Sequence, residues 1–565
     1  MAWEDLPQNT EPLAVYEAAE DAIASGDQAA GHRKAAVLAL ARGGALDLAL
    51  SRFDEYDLHK LVDDEDALAL HGRLLKDKAL AATGETRKRL MIDSADAYLR
   101  AFKLTGGSYS GINAASLFCM AGREADGLAM ARRVLDVLET APPKQDAETR
   151  YFKLATQAEA LLLLKDKPSA KKALRAAIDQ DPKNLTARAT TLRQFDLIIA
   201  HRGDRTDWLN QFRPPSVCFF AGRMPDANGE FVGEDAIRIQ ISDCIEMKSL
   251  GVAYGALAAG ADIVFAEAML RAGGELNVVL PCDADAFVEA SVAPYGPGWV
   301  SRFQACLAEA SSVLHVTKDT SLTDDVAIDL AARFAMGKVV AEATRLTTHA
   351  IQVLISPRPG GMTSAFGSLW TGSGRGHESI LITSKEPPKF EPTLPGDVRG
   401  DRQLGAMLFA DLAGFGQLTD KQVLVAVENV MRPLAKVMIS RQSNLVHAAS
   451  WGDGLFAVFS DIRCAASAAL EMQKEMRVIE LTELGLPEKL SLRIGAHYGP
   501  VTLRGDPVTG HPTAYGSQVA VAARIEPLAV PGSILASEAF AAALFLSPKH
   551  DISTTYLGRR PLKGQ

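Results

Sequence analysis

The spacing of apolar residues changes twice along this chain, and each change separates segments that require different folds. Up to about residue 210, apolar residues recur every three or four positions, as on one face of an α-helix. From residue 213, short β-rich runs alternate with helical patterns, and from residue 403 apolar strands end at tight glycine turns. Because 565 residues are too many for one hydrophobic core, we predict about three or four domains.

Residues 1–210 are predicted to form a helical-repeat array, with breaks at Gly106-Gly107, Pro142-Pro143 and Pro182. The stretch Ala170–Ala177 and the following Asp-Pro-Lys-Asn turn resemble the end of a tetratricopeptide helical pair. The sequence GSYSGINAA at 107–115 resembles the TRAFs-binding helical region of kinase scaffolds. Arrays of this kind bind partners, so we expect a protein partner on the helical repeats.

Residues 213–384 are predicted to form a Rossmann-like α/β domain, because strands and helices alternate and so imply a parallel sheet with helices on both faces. The predicted strands are Ser216–Ala221, Val252–Leu257, Leu276–Pro281, Val313–Thr317 and Ile351–Ser356. The predicted helices are Ala236–Leu250, Ala261–Ala272, Ser301–Glu309 and Asp324–Ala343. A proline-rich linker is expected at 385–402.

A second ligand site is predicted in this middle domain. The sequence GALAAGADIVF at 255–265 joins a strand to a helix, and it resembles the SLOG/lysine-decarboxylase-like group, whose members hold nucleotide-derived ligands. That resemblance nominates Gly222, Gly255, Gly260 and Glu267 for a nucleotide-like ligand. Close packing of helix on sheet explains any one of these glycines about equally well.

Two aspartates stand where strands give way to turns in residues 403–565. Asp411 ends the apolar run AMLFAD, and Asp453 lies at the tip of SWGDGLFAVF. Adjacent strands would bring both carboxylates to one point, as a Mg²⁺ or Mn²⁺ site requires when substrate phosphates complete the coordination. Either aspartate alone is more typical of an ordinary turn than of a metal site.

The order of five motifs resembles the class III adenylyl/guanylyl cyclase catalytic domain: F-x-D-x-x-G-F, W-G-D, R-I-G-x-H-x-G-x-V, G-x-x-V-x-x-A-A-R and L-K-G. The resemblance implies a ferredoxin-like α+β fold that acts as a homodimer. It also implies a nucleoside triphosphate substrate and two metal ions per active site, bound by Asp411 and Asp453.

The same resemblance assigns further roles. The turn containing Leu412, Gly414 and Phe415 would lie near the phosphates, and Arg524 would stabilise charge on the α-phosphate. Arg493 and His497 are interpreted as mostly structural strand residues.

Three positions depart from the family pattern. Ala449 stands where a residue reading the purine is expected, Thr513 stands in the partner position, and Ala520 replaces an asparagine that assists Arg524. The sequence also stops soon after L-K-G, where Lys563 is a candidate phosphate contact. These changes leave the cyclised base open between ATP, GTP and a pyrimidine nucleotide.

The sequence therefore predicts a cytoplasmic nucleotide cyclase, with ATP or GTP as the favoured substrate. Its active site is predicted to be atypical, and the preceding domains are expected to regulate it. The alternative is a catalytically inactive cyclase fold that dimerises a nucleotide-sensing scaffold. A net charge of −9 argues against nucleic acid as the main partner, and no uninterrupted apolar run is long enough for a membrane span.

Overall fold

The computed structural model describes residues 11–26, 29–140, 146–317, 325–355, 361–373, 378–383, 402–508, 510–548 and 552–562. The chain divides into two compact units, Met1–Pro214 with Ser553–Arg560, and Pro215–Ile552 with Pro561–Gln565. The first unit is helical, and the second contains two β-sheets. Among the helices described, none has the length and apolar character needed to cross a bilayer.

The described part of the first unit is built from α-helices that pack against their neighbours in sequence. They are α1 Pro12–Ala24, α2 Ala30–Arg42, α3 Leu46–Glu55, α4 Glu65–Ala81, α5 Gly84–Thr105, α6 Ser108–Met120, α7 Glu124–Thr140, α8 Ala147–Leu163, α9 Lys167–Gln180 and α10 Leu185–Arg202. The predicted breaks at Gly106-Gly107 and Pro182 are confirmed, whereas Pro142-Pro143 lies outside the described residues. Asn184 caps α10 by accepting a hydrogen bond from the Ala187 amide.

The segment Ser553–Arg560 packs within this helical unit, although it follows the last helix of the second unit in sequence. Leu557 lies over the α2–α3 turn, where a Cβ on Gly43 would meet its side chain at 2.9 Å. The amide of Arg559 donates to Glu11, and Arg560 forms an ion pair with Glu17 at 2.9 Å. The motif-based prediction of a catalytic domain over 403–565 did not anticipate this packing.

The first sheet of the second unit is entirely parallel, with the strand order β4-β3-β2-β1-β5-β6. Its strands are β1 Ser216–Gly222, β2 Leu250–Gly255, β3 Glu275–Leu280, β4 Ser312–His315, β5 Ala350–Ile355 and β6 Glu378–Ile382. Its helices are α11 Glu234–Met247, α12 Ala261–Arg271, α13 Ala284–Ser291, α14 Pro297–Glu309, α15 Asp325–Leu346 and α16 Gly361–Gly372. Almost every residue of β1 is buried, which is typical of a strand covered on both faces.

Five strands of this sheet were predicted from the sequence, and α13, α16 and β6 were not. The predicted helix Ala236–Leu250 was too long, since α11 ends at Met247 and Leu250 already belongs to β2. Ser249 adopts a left-handed conformation with φ +48°, which reverses the chain between these two elements.

The second sheet is antiparallel except at one edge, with the order β11-β10-β7-β9-β8 and β12 parallel to β10. Its strands are β7 Arg402–Ala413, β8 Leu445–Trp451, β9 Gly454–Phe459, β10 Ser491–Gly505, β11 Pro512–Tyr515 and β12 Ile534–Ala536. Its helices are α17 Asp420–Ala426, α18 Arg432–Ile439, α19 Ile462–Val478, α20 Ser517–Ile525 and α21 Glu538–Leu546, and a π-helical turn Val427–Met431 joins α17 to α18. The predicted order of strand, helix, hairpin, helix, strand, helix and strand is present, and the short strand β11 and the helix α21 are additions to it.

Helices α17 to α19 and α21 share one core with β7, β9 and β10, including Leu408, Met472 and Phe540. The opposite face carries a smaller cluster around Met407, Phe456 and Val501, to which α20 contributes Ala522. That second face also carries the residues of the candidate site.

Candidate active site

The two aspartates lie at adjacent positions of the antiparallel sheet. Asp411, near the end of β7, is paired with Gly454 of β9 on one side and with Arg493 of β10 on the other. Asp453 directly precedes Gly454 in the turn between β8 and β9. Gly452 opens this turn with φ +62°, a left-handed conformation that favours glycine. Since paired residues of neighbouring strands lie about 5 Å apart, the two carboxylates occupy one corner of the sheet.

Arg493 belongs to this corner. Its Nη2 lies 2.7 Å from Oδ2 of Asp411, a charge-assisted hydrogen bond, and its Nε lies 2.9 Å from Oε1 of Glu526. The contact with Glu526 is an ion pair without hydrogen-bond geometry. Arg493 therefore joins the first aspartate to a third carboxylate.

Glu526 was not predicted as a site residue. It follows α20 in a short 3₁₀ turn, Glu526–Leu528, which lies so close to β10 that a Cβ on Gly495 would meet the Glu526 amide nitrogen at 2.5 Å. Burial raises the pKa of Glu526 to about 7; Arg493 opposes this shift, and the negative charges of Asp411 and Asp453 add to it. The negative charges of both aspartates thus act on Glu526, which agrees with the proximity of Asp411 and Asp453 to this carboxylate.

The turn after Asp411 places its residues in different surroundings. Leu412 is buried in the core of the opposite face, so only its backbone can face the site. Gly414 has φ +95°, and Phe415 is half-buried in a 3₁₀ turn that ends at Gln417. Helix α17 begins later, at Asp420, after a capping box formed by Thr419 and Gln422.

The two positions predicted to read the base lie on strands that approach each other. Ala449 on β8 is half-buried and is paired with Phe456, and Thr513 lies on β11. A residue that the sequence analysis missed lies between them. His447 is paired with Val458, whose side chain joins Phe456 on one face of the sheet, and so His447 shares that face with Ala449.

The imidazole of His447 contacts β11. Its Nε2 lies 3.5 Å from Oγ1 of Thr513, and its ring lies 5.6 Å from that of Phe456. Burial lowers its pKa, an effect opposed by a hydrogen bond to the Pro512 backbone, so the ring is neutral near pH 7. Because proline offers only a backbone carbonyl, the ring N–H of His447 donates to Pro512, and the acceptor nitrogen remains for the Thr513 hydroxyl or for the edge of a base.

An aromatic cluster continues this face towards the aspartates. Trp451 stacks on Phe456 with ring centroids 5.5 Å apart, and Phe409 lies 4.4 Å from Phe456. Trp451 is 56% exposed, Phe409 is half-buried and Phe456 is buried, so the open apolar surface of this cluster is mainly the Trp451 ring.

Arg524 and Ala520 lie four residues apart on α20, and hence on one side of that helix. Arg524 is half-buried, and Ala520 is exposed. No hydrogen bond or ion pair of Arg524 is present in the described part of the chain. Helix α20 is fixed to β10 through His497, whose Nε2 lies 2.7 Å from Oε1 of Gln518.

His497 is buried and structural, as the sequence indicated. Its Nδ1 lies 2.7 Å from Oγ of Ser537, at the start of α21, and burial lowers its pKa to about 4. It therefore connects α20, β10 and α21 as a neutral ring. Lys563, the candidate phosphate contact, lies outside the described residues.

In the middle domain, the nominated glycines lie against the protein itself. Cβ atoms on Gly222, Gly255 and Gly260 would meet Ala261 at 2.3 Å, Phe220 at 2.7 Å and the Arg223 carbonyl at 2.7 Å, respectively. The carboxylate of Glu267 is held by Arg238 at 2.9 Å and Arg302 at 2.6 Å. Packing and ion pairing therefore account for these residues, and their role with a ligand remains a prediction.

Two sequence families match the chain. The adenylate and guanylate cyclase catalytic domain matches residues 402–565, and TPR-S, the tetratricopeptide repeats-sensor family, matches residues 11–118. No curated protein sequence matches.

Solved structures that match include an adenylate/guanylate cyclase/hydrolase from Silicibacter pomeroyi, with 32% identity over 25% of this chain and 79% of that one, and a TM-score of 0.21. The guanylyl cyclase Cya2 has 27% identity over 26% and 80% of the two chains, with a TM-score of 0.23. The adenylyl cyclase CyaB from P. aeruginosa has 22% identity over 25% and 80%, also with a TM-score of 0.23.

Proposed function

We propose that this chain, which carries an adenylate and guanylate cyclase catalytic domain at its C-terminus and a TPR-S domain at its N-terminus, converts a nucleoside triphosphate to a 3′,5′-cyclic nucleotide and pyrophosphate. The observation that carries the proposal is the convergence of Asp411 and Asp453 at one corner of the sheet, where the buried Glu526 experiences the charge of both. In the reaction, the 3′-oxygen of the ribose bonds to the α-phosphorus and the bond to the bridging oxygen of the β-phosphate breaks. The hydroxyl proton passes to solvent and pyrophosphate leaves.

The residues at this corner fit a divalent cation. Carboxylate oxygens are the ligands that Mg²⁺ and Mn²⁺ prefer, and Asp411 uses only Oδ2 for Arg493. Asp411 and Asp453 would therefore hold two Mg²⁺ or Mn²⁺ ions together with the substrate phosphates. Bound there, the ions would increase the acidity of the ribose hydroxyl and offset the negative charge of the triphosphate.

The remaining groups orient the metal ligand and stabilise the transition state. Arg493 fixes the direction of the Asp411 carboxylate, and Glu526 fixes Arg493 in turn. Arg524 supplies a positive charge for the oxygens of the α-phosphate in the transition state, a contribution of about 3 kcal/mol in comparable sites. Leu412, Gly414 and Phe415 offer backbone amides near the phosphates.

We propose that the active enzyme is a homodimer. Within one chain Arg524 forms no ion pair among the described residues, so a second copy would bring it to the aspartates. The exposed Trp451 ring, stacked on the buried Phe456, supplies apolar surface for such a partner to cover.

The base is proposed to be read by His447 and Thr513, since Ala449 has no polar group. ATP and GTP are the first candidates. A pyrimidine nucleotide is the third candidate, because Ala449 has only a small apolar side chain and the choice of base then depends on the neighbouring imidazole.

The first experiment is incubation of the purified chain with ATP, GTP, CTP and UTP in the presence of Mn²⁺, with products resolved by mass spectrometry. A cyclic nucleotide from one substrate, lost on chelation of the metal, would support the proposal and identify the base. If no substrate yields a product at any protein concentration, the alternative of an inactive dimerisation domain on a sensing scaffold would replace it.

A further inference from the structure

Helix α9 of the helical unit carries a row of positive side chains that the proposed cyclase activity does not use. Lys167, Lys171 and Arg175 follow one another at intervals of four residues, so they lie on one face of the helix. At the rise of an α-helix the row is about 12 Å long, with about 6 Å between neighbouring positions. Lys167 and Arg175 are exposed and Lys171 is half-buried, so the row is accessible from solvent.

Two aromatic rings support this row from the short 3₁₀ turn that follows α10. The ammonium nitrogens of Lys167 and Lys171 lie 5.3 and 5.4 Å from the centroid of the Trp208 ring. The guanidinium carbon of Arg175 lies 5.0 Å from the centroid of the Phe212 ring. Cation–π contacts of this kind hold the stems of long side chains against the protein and leave their charges at the surface.

Hydrogen bonds fix the far end of the row. Nη2 of Arg175 donates to Oε1 of Gln211 at 2.7 Å. Arg188 of α10 donates to the backbone carbonyls of Phe212 and Arg213, the second at 2.8 Å, so a fourth cation lies at the residue whose ring supports Arg175. These side chains are thus held in place by the protein itself, which reduces the entropy that a partner would have to remove on binding.

The charges of the row are not neutralised within the described part of the chain. No ion pair there includes Lys167, Lys171, Arg175 or Arg188. The nearest acid in sequence, Asp166, caps α9 by accepting from the Ser169 amide at 3.1 Å, and Asp179, four residues after Arg175, does not pair with it. The first turn of α9 holds no acidic residue, and positive charge there is unfavourable because it opposes the helix dipole. The row therefore does not serve the stability of its own helix.

We propose that Lys167, Lys171 and Arg175 form a docking surface for an acidic helix of a partner protein, whose carboxylates at every fourth residue face the three cations. Two helices with charges at the same interval match each other along the whole row. The net charge of −9 disfavours a long polyanion such as nucleic acid, whereas a short acidic helix would meet only the positive row. This surface lies outside the segment that matches TPR-S, and its role does not depend on cyclase activity.

The test is a fluorescence anisotropy titration of the full chain against a labelled helical peptide of about 16 residues, long enough to form a helix, with glutamate at every fourth position. One comparison peptide has glutamine in place of glutamate, and a second has the same composition with its glutamates spread around the helix. We expect the first peptide to bind at least about fivefold more tightly than either comparison peptide, and its binding to weaken as the salt concentration is raised.

Lys167→Gln, Lys171→Gln and Arg175→Gln should each weaken binding of the glutamate peptide by about two- to fivefold, the range expected for exposed ion pairs. The triple variant should weaken it by about tenfold or more. Lys103→Gln is the matched control, because Lys103 is an exposed cation on α5, outside the row, and it should bind the peptide as the unmodified chain does.

The inference is overturned if the unmodified chain binds the glutamate and glutamine peptides equally, or if the triple variant binds the glutamate peptide as tightly as Lys103→Gln does. A short DNA duplex that binds more tightly than the glutamate peptide would also overturn the assignment to an acidic helix. The thermal midpoint checks the fold of each variant. Since Lys167 and Arg175 are exposed, their single variants decide the question even where the triple variant loses stability.

Discussion

Arg493 and Asp411 face each other across the β10–β7 ladder, with Nη2 of the arginine 2.7 Å from Oδ2 of the aspartate. The same guanidinium reaches Glu526 at 2.9 Å. One positive side chain thus holds two of the three carboxylates at this corner, and the direction of the proposed metal ligand depends on it.

Replacing this arginine tests that dependence. Arg493→Gln should lower cyclase activity by about 10- to 100-fold, the usual effect of removing a group that orients a metal ligand. The Mn²⁺ concentration needed for half-maximal activity should rise more than the KM for the nucleotide. Arg504→Gln, an exposed arginine on the same strand, should leave both unchanged. Equal rises in both quantities would contradict an orienting role.

Asp411→Asn and Asp453→Asn should each lower kcat by about a hundredfold or more, because an amide is a poor ligand for Mg²⁺ or Mn²⁺. Both variants should keep the fold, as neither side chain lies in the hydrophobic core. Activity is measured as cyclic nucleotide formed, with the thermal midpoint as the check on folding. Asp420→Asn, at an exposed helix start, should behave as the unmodified chain does, and an active Asp453→Asn would remove Asp453 from the metal site.

His447→Ala should change which triphosphate is preferred. Removing the imidazole that contacts Thr513 should shift the ratio of kcat/KM between the best substrate and its nearest competitor by about tenfold. His511→Ala, an exposed histidine on the neighbouring hairpin, is the control and should leave the ratio unchanged. If His447→Ala lowers kcat/KM equally for ATP, GTP, CTP and UTP, the histidine only supports the strand.

The free energy of unfolding at acid pH should depend in part on His497. Its pKa is about 4 in the folded protein and about 6.5 when unfolded, so between these values the unfolded state binds a proton that the folded state does not. The free energy of unfolding should therefore fall as the pH is lowered from 6.5 to 4, by about 3 kcal/mol for this group. Urea unfolding between pH 4.5 and 7.5 measures the slope. Glu526, with its pKa raised to about 7, contributes to the slope in the opposite sense over the same range. The His497 contribution is therefore the difference between the slopes of the unmodified chain and of His497→Gln, and His511→Gln should show no such difference.

Local signals predicted much of this fold. The start of α17 follows from Thr419 and Gln422, which form a capping box, and the turn at Asp453 follows from glycines on both sides of it. Five of the six strands of the parallel sheet were visible as short apolar runs between helical patterns. Each of these features depends on residues that are close together in sequence.

The missed features depend on residues that are distant in sequence. Glu526 reaches Arg493 because Gly495 lets a turn from beyond α20 lie on β10, and His447 meets Thr513 across two strands that are not consecutive. Neither pair can be recognised from a pattern of residues that are close together in sequence. The packing of Ser553–Arg560 on α1 and α2 likewise joins the two ends of the sequence.

A contact between the two sheets of the second unit gives the last prediction. Helix α15 packs on the parallel sheet, and it also packs against α21, which covers the antiparallel sheet. Leu330 of α15 lies in the hydrophobic core beneath β7. Lys338 forms an ion pair with Glu538 beside this contact. The two helices are so close that a Cβ on Gly337 would meet the Ala542 carbonyl oxygen at 2.1 Å.

Gly337→Ala should therefore force α15 and α21 apart and lower the free energy of unfolding by about 1–3 kcal/mol. Gly298→Ala is the matched control, because Gly298 of α14 has open space around its Cβ position and the change should stabilise by about 0.5 kcal/mol. Urea unfolding of both variants measures the difference. Cyclase activity should also fall in Gly337→Ala alone, because α21 is held to β10 through Ser537 and His497, and β10 carries Arg493. Equal stability of the two variants would mean that α15 and α21 do not pack this closely in solution.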